Sequence, residues 1–109
     1  MIGNRMSSPA KTAACKLVIV VAPFELRDHV IGDLKHLGLK GFTTMRVDGG
    51  GAHGPRTYGV LDGANVRFEV ITSPQLAQQL LAHVAATLAD RAVLAYSLDV
   101  EAVPFDHFQ

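Results

Sequence analysis

With 109 residues, 49% of them hydrophobic, the chain suits one compact domain but only a modest core, so association with further copies would help it. Ten Lys and Arg against ten Asp and Glu leave no formal charge, which argues against a protein that grips nucleic acid by neutralising phosphates. The single cysteine, Cys15, excludes an internal disulfide, fits a reducing cytoplasm, and reads as a small apolar filler in a strand.

Residues 1–14, with Asn4, Arg5, Ser7, Ser8 and Pro9, contain no apolar h-region. They are expected to be a disordered tail and not a signal peptide, with residues 15–109 as a single domain. No apolar run approaches the roughly 18 residues of a membrane helix, so a soluble protein without direct membrane insertion is expected. Lys16 to Ala22 is a continuous β-branched run, and apolar residues at every position predict a strand covered on both faces. Pro23 ends it. From Glu25 to Leu37, the residues Leu26, Val30, Ile31, Leu34 and Leu37 form one stripe of a helix, with Arg27, Asp28, Asp33 and Lys35 on the other side. His29 and His36 could share a face, but no carboxylate or cysteine is expected beside them at ligand spacing, so both read as solvated. Gly38 can stop the helix in a left-handed conformation, and Gly41 repeats the option.

Phe42 to Val47 reads as a second strand. It enters a loop from about Gly49 to Ala64, longer than most structureless connections in compact domains, which are usually functional or disordered. Gly49-Gly50-Gly51-Ala52-His53-Gly54 has the spacing of a dinucleotide fingerprint but no helix after it, since Pro55, Arg56 and Thr57 continue the loop. Two alternatives remain: a glycine-lined anion site built from backbone N–H groups, or a plain flexible loop. Asn65 to Ile71 alternates Val66, Phe68 and Val70 with Arg67 and Glu69, as a strand does. Ser73 and Pro74 open a second helix as N-cap and first residue, and the helix runs to about Ala89 with Leu76, Ala77, Leu80, Leu81, Val84 and Leu88 inward. Asp90 and Arg91 make a turn. Ala92 to Val103 is the last strand, with Leu94, Tyr96, Leu98 and Val100 on one face.

The order β-α-β, long loop, β-α-β predicts an α+β ferredoxin-like fold: a βαββαβ antiparallel sheet with two helices on one face and the loop between strands 2 and 3. The second sheet face is apolar and uncovered, and a homo-oligomer is expected to cover it. Catalytic pairs are thin. His53 has no nearby carboxylate before Asp62, Ser73 is a cap, Ser97 lies mid-strand, and no motif joins Arg56 to Asn65. A binding protein is therefore favoured over an enzyme. The rivals are a small nucleotide or phosphate-ester hydrolase using His53 and Arg56, and an ion-binding trimer using the histidines.

The segment from Gly38 to Gly51, Gly-Leu-Lys-Gly-Phe-Thr-Thr-Met-Arg-Val-Asp-Gly-Gly-Gly, resembles the approach to the mobile T-loop of PII signal proteins. Lys16 to Phe24 is similar to their first strand, and Asn65 to Thr72 to the strand after the loop. The resemblance spans residues 16–103 and implies a homotrimer that binds adenine nucleotides in clefts between subunits. It implies that Thr43 lies near the adenine, that Gly49 and Gly51 with Gly50 between them meet ribose and phosphates, and that Ile71 packs on the base. Taken alone, Thr43 reads as strand filler and Ile71 as core. The loop is shorter than in nitrogen-regulatory PII proteins, Ala89-Asp90-Arg91-Ala92 replaces their cationic B-loop, and their paired arginines after the last strand are absent. The chain is more similar to the PII-like branch tied to inorganic carbon, the bicarbonate-transporter regulators and carboxysome-associated PII proteins. Gly-x-Gly-x-x-x-x-Arg of that branch fits Gly49 to Arg56 without a gap, so Arg56 matches a phosphate-binding arginine and His53 replaces a second one. The resemblance thus implies a cytoplasmic, non-enzymatic sensor of ADP or AMP, with bicarbonate as a further ligand and Arg91 beside the phosphates. A membrane transporter of bicarbonate or a related anion would be its partner.

Overall fold

The computed structural model describes residues 9–48, 50, 51, 54, 55 and 64–104. In chain order the elements are strand β1 (Ala13–Pro23), a 3-10 turn (Phe24–Leu26), helix α1 (Arg27–His36), strand β2 (Thr43–Asp48), two short strands β3 (Gly50–Gly51) and β4 (Gly54–Pro55), strand β5 (Ala64–Thr72), helix α2 (Pro74–Thr87), a 3-10 turn (Ala89–Arg91) and strand β6 (Leu94–Ala102). The main sheet is four-stranded and antiparallel in the order β2-β5-β1-β6, the ferredoxin-like βαββαβ arrangement. β1 starts at Ala13, before the expected Lys16, because Ala13 and Ala14 continue the ladder against Ala102 and Glu101. Thr12 Oγ1 also donates to Glu101 Oε1 at 2.8 Å, tying the entry of β1 to the end of β6.

Alternation along the strands divides the apolar residues between two faces. Val18, Val20 and Ala22 of β1 and Val66, Phe68 and Val70 of β5 face the helices, and all are essentially inaccessible. Leu26, Val30 and Leu34 from the first helical segment and Ala77, Leu80, Val84 and Leu88 from the second close this core. Both expected helix stripes therefore face the core, with Ile31, Leu37, Leu76 and Leu81 only partly buried against it. Phe42, leading into β2, packs its ring on Phe68 in a tilted arrangement with centroids 6.2 Å apart.

The helix ends follow from local chemistry. Gly38 has φ +87°, Gly38 N–H donates to Lys35 O at 3.0 Å, and Leu39 N–H donates to Leu34 O at 2.9 Å. This is the double bond of a Schellman stop, which needs a residue without a Cβ at its left-handed position. Gly41 takes no such conformation: Gly38 alone makes the stop. The Ser73 Oγ accepts from Leu76 N–H at 3.2 Å, and Pro74 is the first residue of α2. That helix ends at Thr87, two residues before the expected Ala89, and the chain tightens into the 3-10 turn. Ala92 then adopts φ 62°, a left-handed conformation that redirects the backbone into β6.

Candidate functional site

Among the described residues, no helix lies over the opposite face of the sheet. The register aligns Met45, Arg67, Val21 and Leu94 in one row across the four strands. Thr43, Glu69, Ile19 and Tyr96 form the next, followed by Ile71, Leu17 and Leu98. Ile19 is shielded by its neighbours, whereas Met45, Ile71, Leu94, Tyr96 and Leu98 are between 40% and 55% exposed. The charges in these three rows belong to Arg67 and Glu69, which bond each other: Arg67 Nε to Glu69 Oε2 is 3.2 Å. A contiguous apolar patch with its charges already paired is the character of a contact surface.

Thr43 and Ile71, two of the expected ligand contacts, lie on this face beside each other. Thr43 pairs with Glu69, two residues from Ile71 on β5. Ile71 is 42% exposed, so it is not part of the core of the single chain. Of the other expected contacts, Gly50, Gly51 and Arg91 lie towards the opposite end of the sheet. Asp48 pairs with Ala64 there, β3 follows, and Leu94 pairs with Val21 just after Arg91. Gly50 and Gly51 pair with Pro55 and Gly54 in a two-stranded ribbon, in place of the wholly irregular loop expected from the sequence. Arg91 is exposed. Gly49, Arg56 and His53 lie outside the described residues. Thr43 and Asp48 are about 17 Å apart along β2 at the usual strand rise. Arg91 leads into the edge strand opposite β2, about 14 Å across the sheet by strand spacing. Among the described residues, one chain therefore does not bring Thr43 and Ile71 together with Gly50, Gly51 and Arg91.

Arg46 is committed elsewhere. Its guanidinium stacks over the Phe24 ring with Cζ 4.3 Å from the centroid, on the helix side of the sheet. This cation–π contact ties the last turn of β2 before the glycines to the link between β1 and α1. A groove of about 460 Å³ at the far end is lined by Ala14, Cys15, Lys16, Pro74, Asp99, Val100 and Glu101. Lys16 is paired with Asp99, which leaves the lining acidic and unsuited to phosphate. Cys15 is buried, as expected of a filler, and its Sγ points to Ala13 O at 3.5 Å.

The expectation for His29 is corrected. Asp33 follows it by four residues on the same helix, which brings the side chains together: His29 Nε2 lies 3.3 Å from Asp33 Oδ2. His83 of α2 reaches the same oxygen at 3.0 Å. The His29–Asp33 spacing was available in the sequence; the third member, 50 residues further on, depends on how the helices pack. His36 is exposed, as expected.

The chain is thus a ferredoxin-like α+β domain with a glycine ribbon at the root of the loop after its second strand, and no described helix is long and apolar enough to cross a membrane. Residues 15–103 match the family of the Nitrogen regulatory protein P-II, and the chain belongs to that family, whose members are typically trimeric, non-enzymatic regulators. A crystal structure named as a PII-like signalling protein, from Thermus thermophilus, is similar at 28% identity with a TM-score of 0.75, covering 91% of this chain and 99% of that one. CPII of Thiomonas intermedia K12, a nitrogen regulatory PII-like protein bound to ADP, AMP and bicarbonate, shares the fold at 17% identity and TM-score 0.72, covering 84% of this chain and 96% of its own. Its form bound to ADP and bicarbonate gives 18% identity and TM-score 0.74, with 86% and 93% covered. No curated protein sequence matches.

Proposed function

We propose that this protein is a homotrimeric sensor of ADP or AMP in the PII-like branch linked to inorganic carbon. The observation that carries this is the division of the expected ligand contacts between two ends of one sheet, joined by an open apolar face. A second copy seated on that face supplies what one chain lacks. Thr43 and Ile71 of one subunit then hold the base, while Gly49, Gly50, Gly51, Arg56 and Arg91 of its neighbour hold ribose and phosphates. Backbone N–H groups next to glycine approach an anion closely, and arginine adds charge-assisted bonds. The ligands of CPII, adenine nucleotides and bicarbonate, support the same ligand classes here.

The cation supply suits one or two phosphates. Arg46 is held over Phe24 and Lys16 by Asp99, which leaves Arg56 and Arg91 as the nearest cations expected at the phosphates. Each further phosphate brings negative charge into a partly dehydrated cleft and needs its own partners. ADP or AMP therefore binds at least as tightly as ATP, with bicarbonate as a second anion beside the phosphates. The loop changes its order with the ligand and controls a membrane transporter of bicarbonate or a related anion from the cytoplasmic side, or a carboxysome-associated partner. The test is a calorimetric titration with AMP, ADP, ATP and bicarbonate, with phosphate release followed in parallel. Saturable binding of ADP or AMP without turnover is expected. Absence of nucleotide binding would remove the proposal, and enzyme-like phosphate release lost on changing His53 or Arg56 would replace it with a hydrolase.

A further inference from the structure

We propose that Arg46 is a positioning residue for the glycine ribbon: stacked on Phe24, it fixes the end of β2 from which β3 and β4 project. Only the effect on ligand affinity rests on the nucleotide reading. The effect on the ribbon stands by itself.

β2 is an edge strand, bonded to β5 alone in the order β2-β5-β1-β6. Its last residues pair Arg46 with Val66, Val47 with Asn65 and Asp48 with Ala64, and there its ladder stops. β5 in turn pairs Val66 with Ala22 and Asn65 with Pro23 of β1. Phe24 follows Pro23 and opens the 3-10 turn. The Arg46 side chain therefore reaches past β5 to the link between β1 and α1, where its Cζ lies 4.3 Å from the Phe24 centroid. An aromatic face attracts a guanidinium within about 6 Å of its centroid. The contact gives the end of β2 a second attachment, separate from its hydrogen bonds to β5.

Lys16, Arg27 and Arg67 each pair with a carboxylate. Among the described residues Arg46 has no such partner, although Asp48 stands two residues along the same strand and on the same face. Phe24 is partly buried against the core, so its ring is a fixed platform for the exposed arginine. The ribbon needs such support. Gly50 and Gly51 pair with Pro55 and Gly54, and glycine has no side chain to pack and the most conformational freedom to lose. Where the end of β2 opens, the glycine amides lose their common direction and fewer chains are ready for a ligand. Apparent affinity falls by that same fraction. Lysine does not replace arginine here, because its ammonium lacks the plane that stacks on a ring.

The experiment measures amide hydrogen exchange at Gly50 and Gly51 in the full chain by NMR, with ADP titrated by calorimetry and urea unfolding to confirm that each variant is folded. Arg46→Gln and Phe24→Leu should each speed exchange about two- to fivefold, the range of an exposed cation–π contact. The double variant should be no faster than Phe24→Leu alone, since both substitutions remove one contact. Phe24→Tyr keeps the ring and should exchange as the wild type does, whereas Arg46→Lys should exchange faster. ADP should bind the fast-exchanging variants more weakly by the same factor. Unchanged exchange in Arg46→Gln, or effects that add in the double variant, would overturn the clasp. Faster exchange with undiminished ADP affinity would overturn the positioning role. A wild type that binds no ADP would overturn the nucleotide reading alone, and the exchange rates would then decide the clasp.

Discussion

Replacing Leu98 with lysine should convert the proposed trimer to a folded monomer. Leu94 and Leu98 stand 55% and 47% exposed in the single chain, so about half of each remains to be covered. Complete burial of a leucine is worth about 1.5–3 kcal/mol, so covering the remainder of both contributes about 1.5–3 kcal/mol per subunit. Leu98→Lys forfeits about half of that gain, close to 1 kcal/mol. It also sets an ammonium opposite Leu17, where removing the charge from water costs several kcal/mol. A combined loss of about 4 kcal/mol per subunit is close to three orders of magnitude in the affinity of each interface. The isolated chain should scarcely notice, because Leu98 points to solvent there and surface changes cost within about 0.5 kcal/mol. Sedimentation velocity across the micromolar range, with circular dichroism for folding, measures both effects. The variant should also lose ADP binding. A variant that stays trimeric in the same concentration range would refute the assignment of the open face. A folded monomer that binds ADP as the wild type does would refute the intersubunit cleft.

Three further outcomes follow from named contacts. Arg56→Ala should remove a charge-assisted bond worth about 1.5–3 kcal/mol, a ten- to hundredfold loss of ADP affinity, and abolish protection of the loop from protease by ADP; equal cleavage of wild type with and without ADP would show that the loop does not read the nucleotide. Gly38→Ala places a Cβ at φ +87° and should lower stability by about 1–2 kcal/mol in urea unfolding, with ADP affinity unchanged. Phe68→Ala empties the centre of the core and should cost about 3–5 kcal/mol, enough to bring the melting transition close to ambient temperature in a domain of this size.

The fold was legible because its signals are local and periodic. The alternation of Val66, Phe68 and Val70, the Leu26–Leu34 stripe, the Ser73–Pro74 start and the Gly38 stop each depend on a few neighbouring residues, and each appears where the sequence places it. Boundaries shifted where pairing overrode composition: Ala13 and Ala14 have low β-propensity, yet Ala102 and Glu101 offer them a ladder. The ribbon of Gly50–Gly51 with Gly54–Pro55 was not legible, since glycine and proline signal turns and carry no strand pattern. The His29–Asp33–His83 cluster was half legible. Its i,i+4 pair is a sequence fact, whereas His83 joins only through the crossing of two helices far apart in the chain.

On the proposed reading the ligand site is the least legible part for a physical reason: no single chain contains it. Sequence proximity runs from Thr43 to the glycines along β2, and suggests one continuous site. The strand instead carries Thr43 and the glycines to opposite ends of the sheet, with an apolar surface alongside. That arrangement gives a reason for the composition of the second sheet face. Met45, Ile71, Leu94, Tyr96 and Leu98 are of no use to the core of the monomer, and their exposure would be a liability unless copies meet there. When copies meet through this face, the end of one sheet can approach the start of the next, so the same apolar residues that hold the subunits together also assemble the two halves of the ligand site. Ligand binding and assembly are then coupled, and ADP should raise the stability of the trimer as well as order the loop.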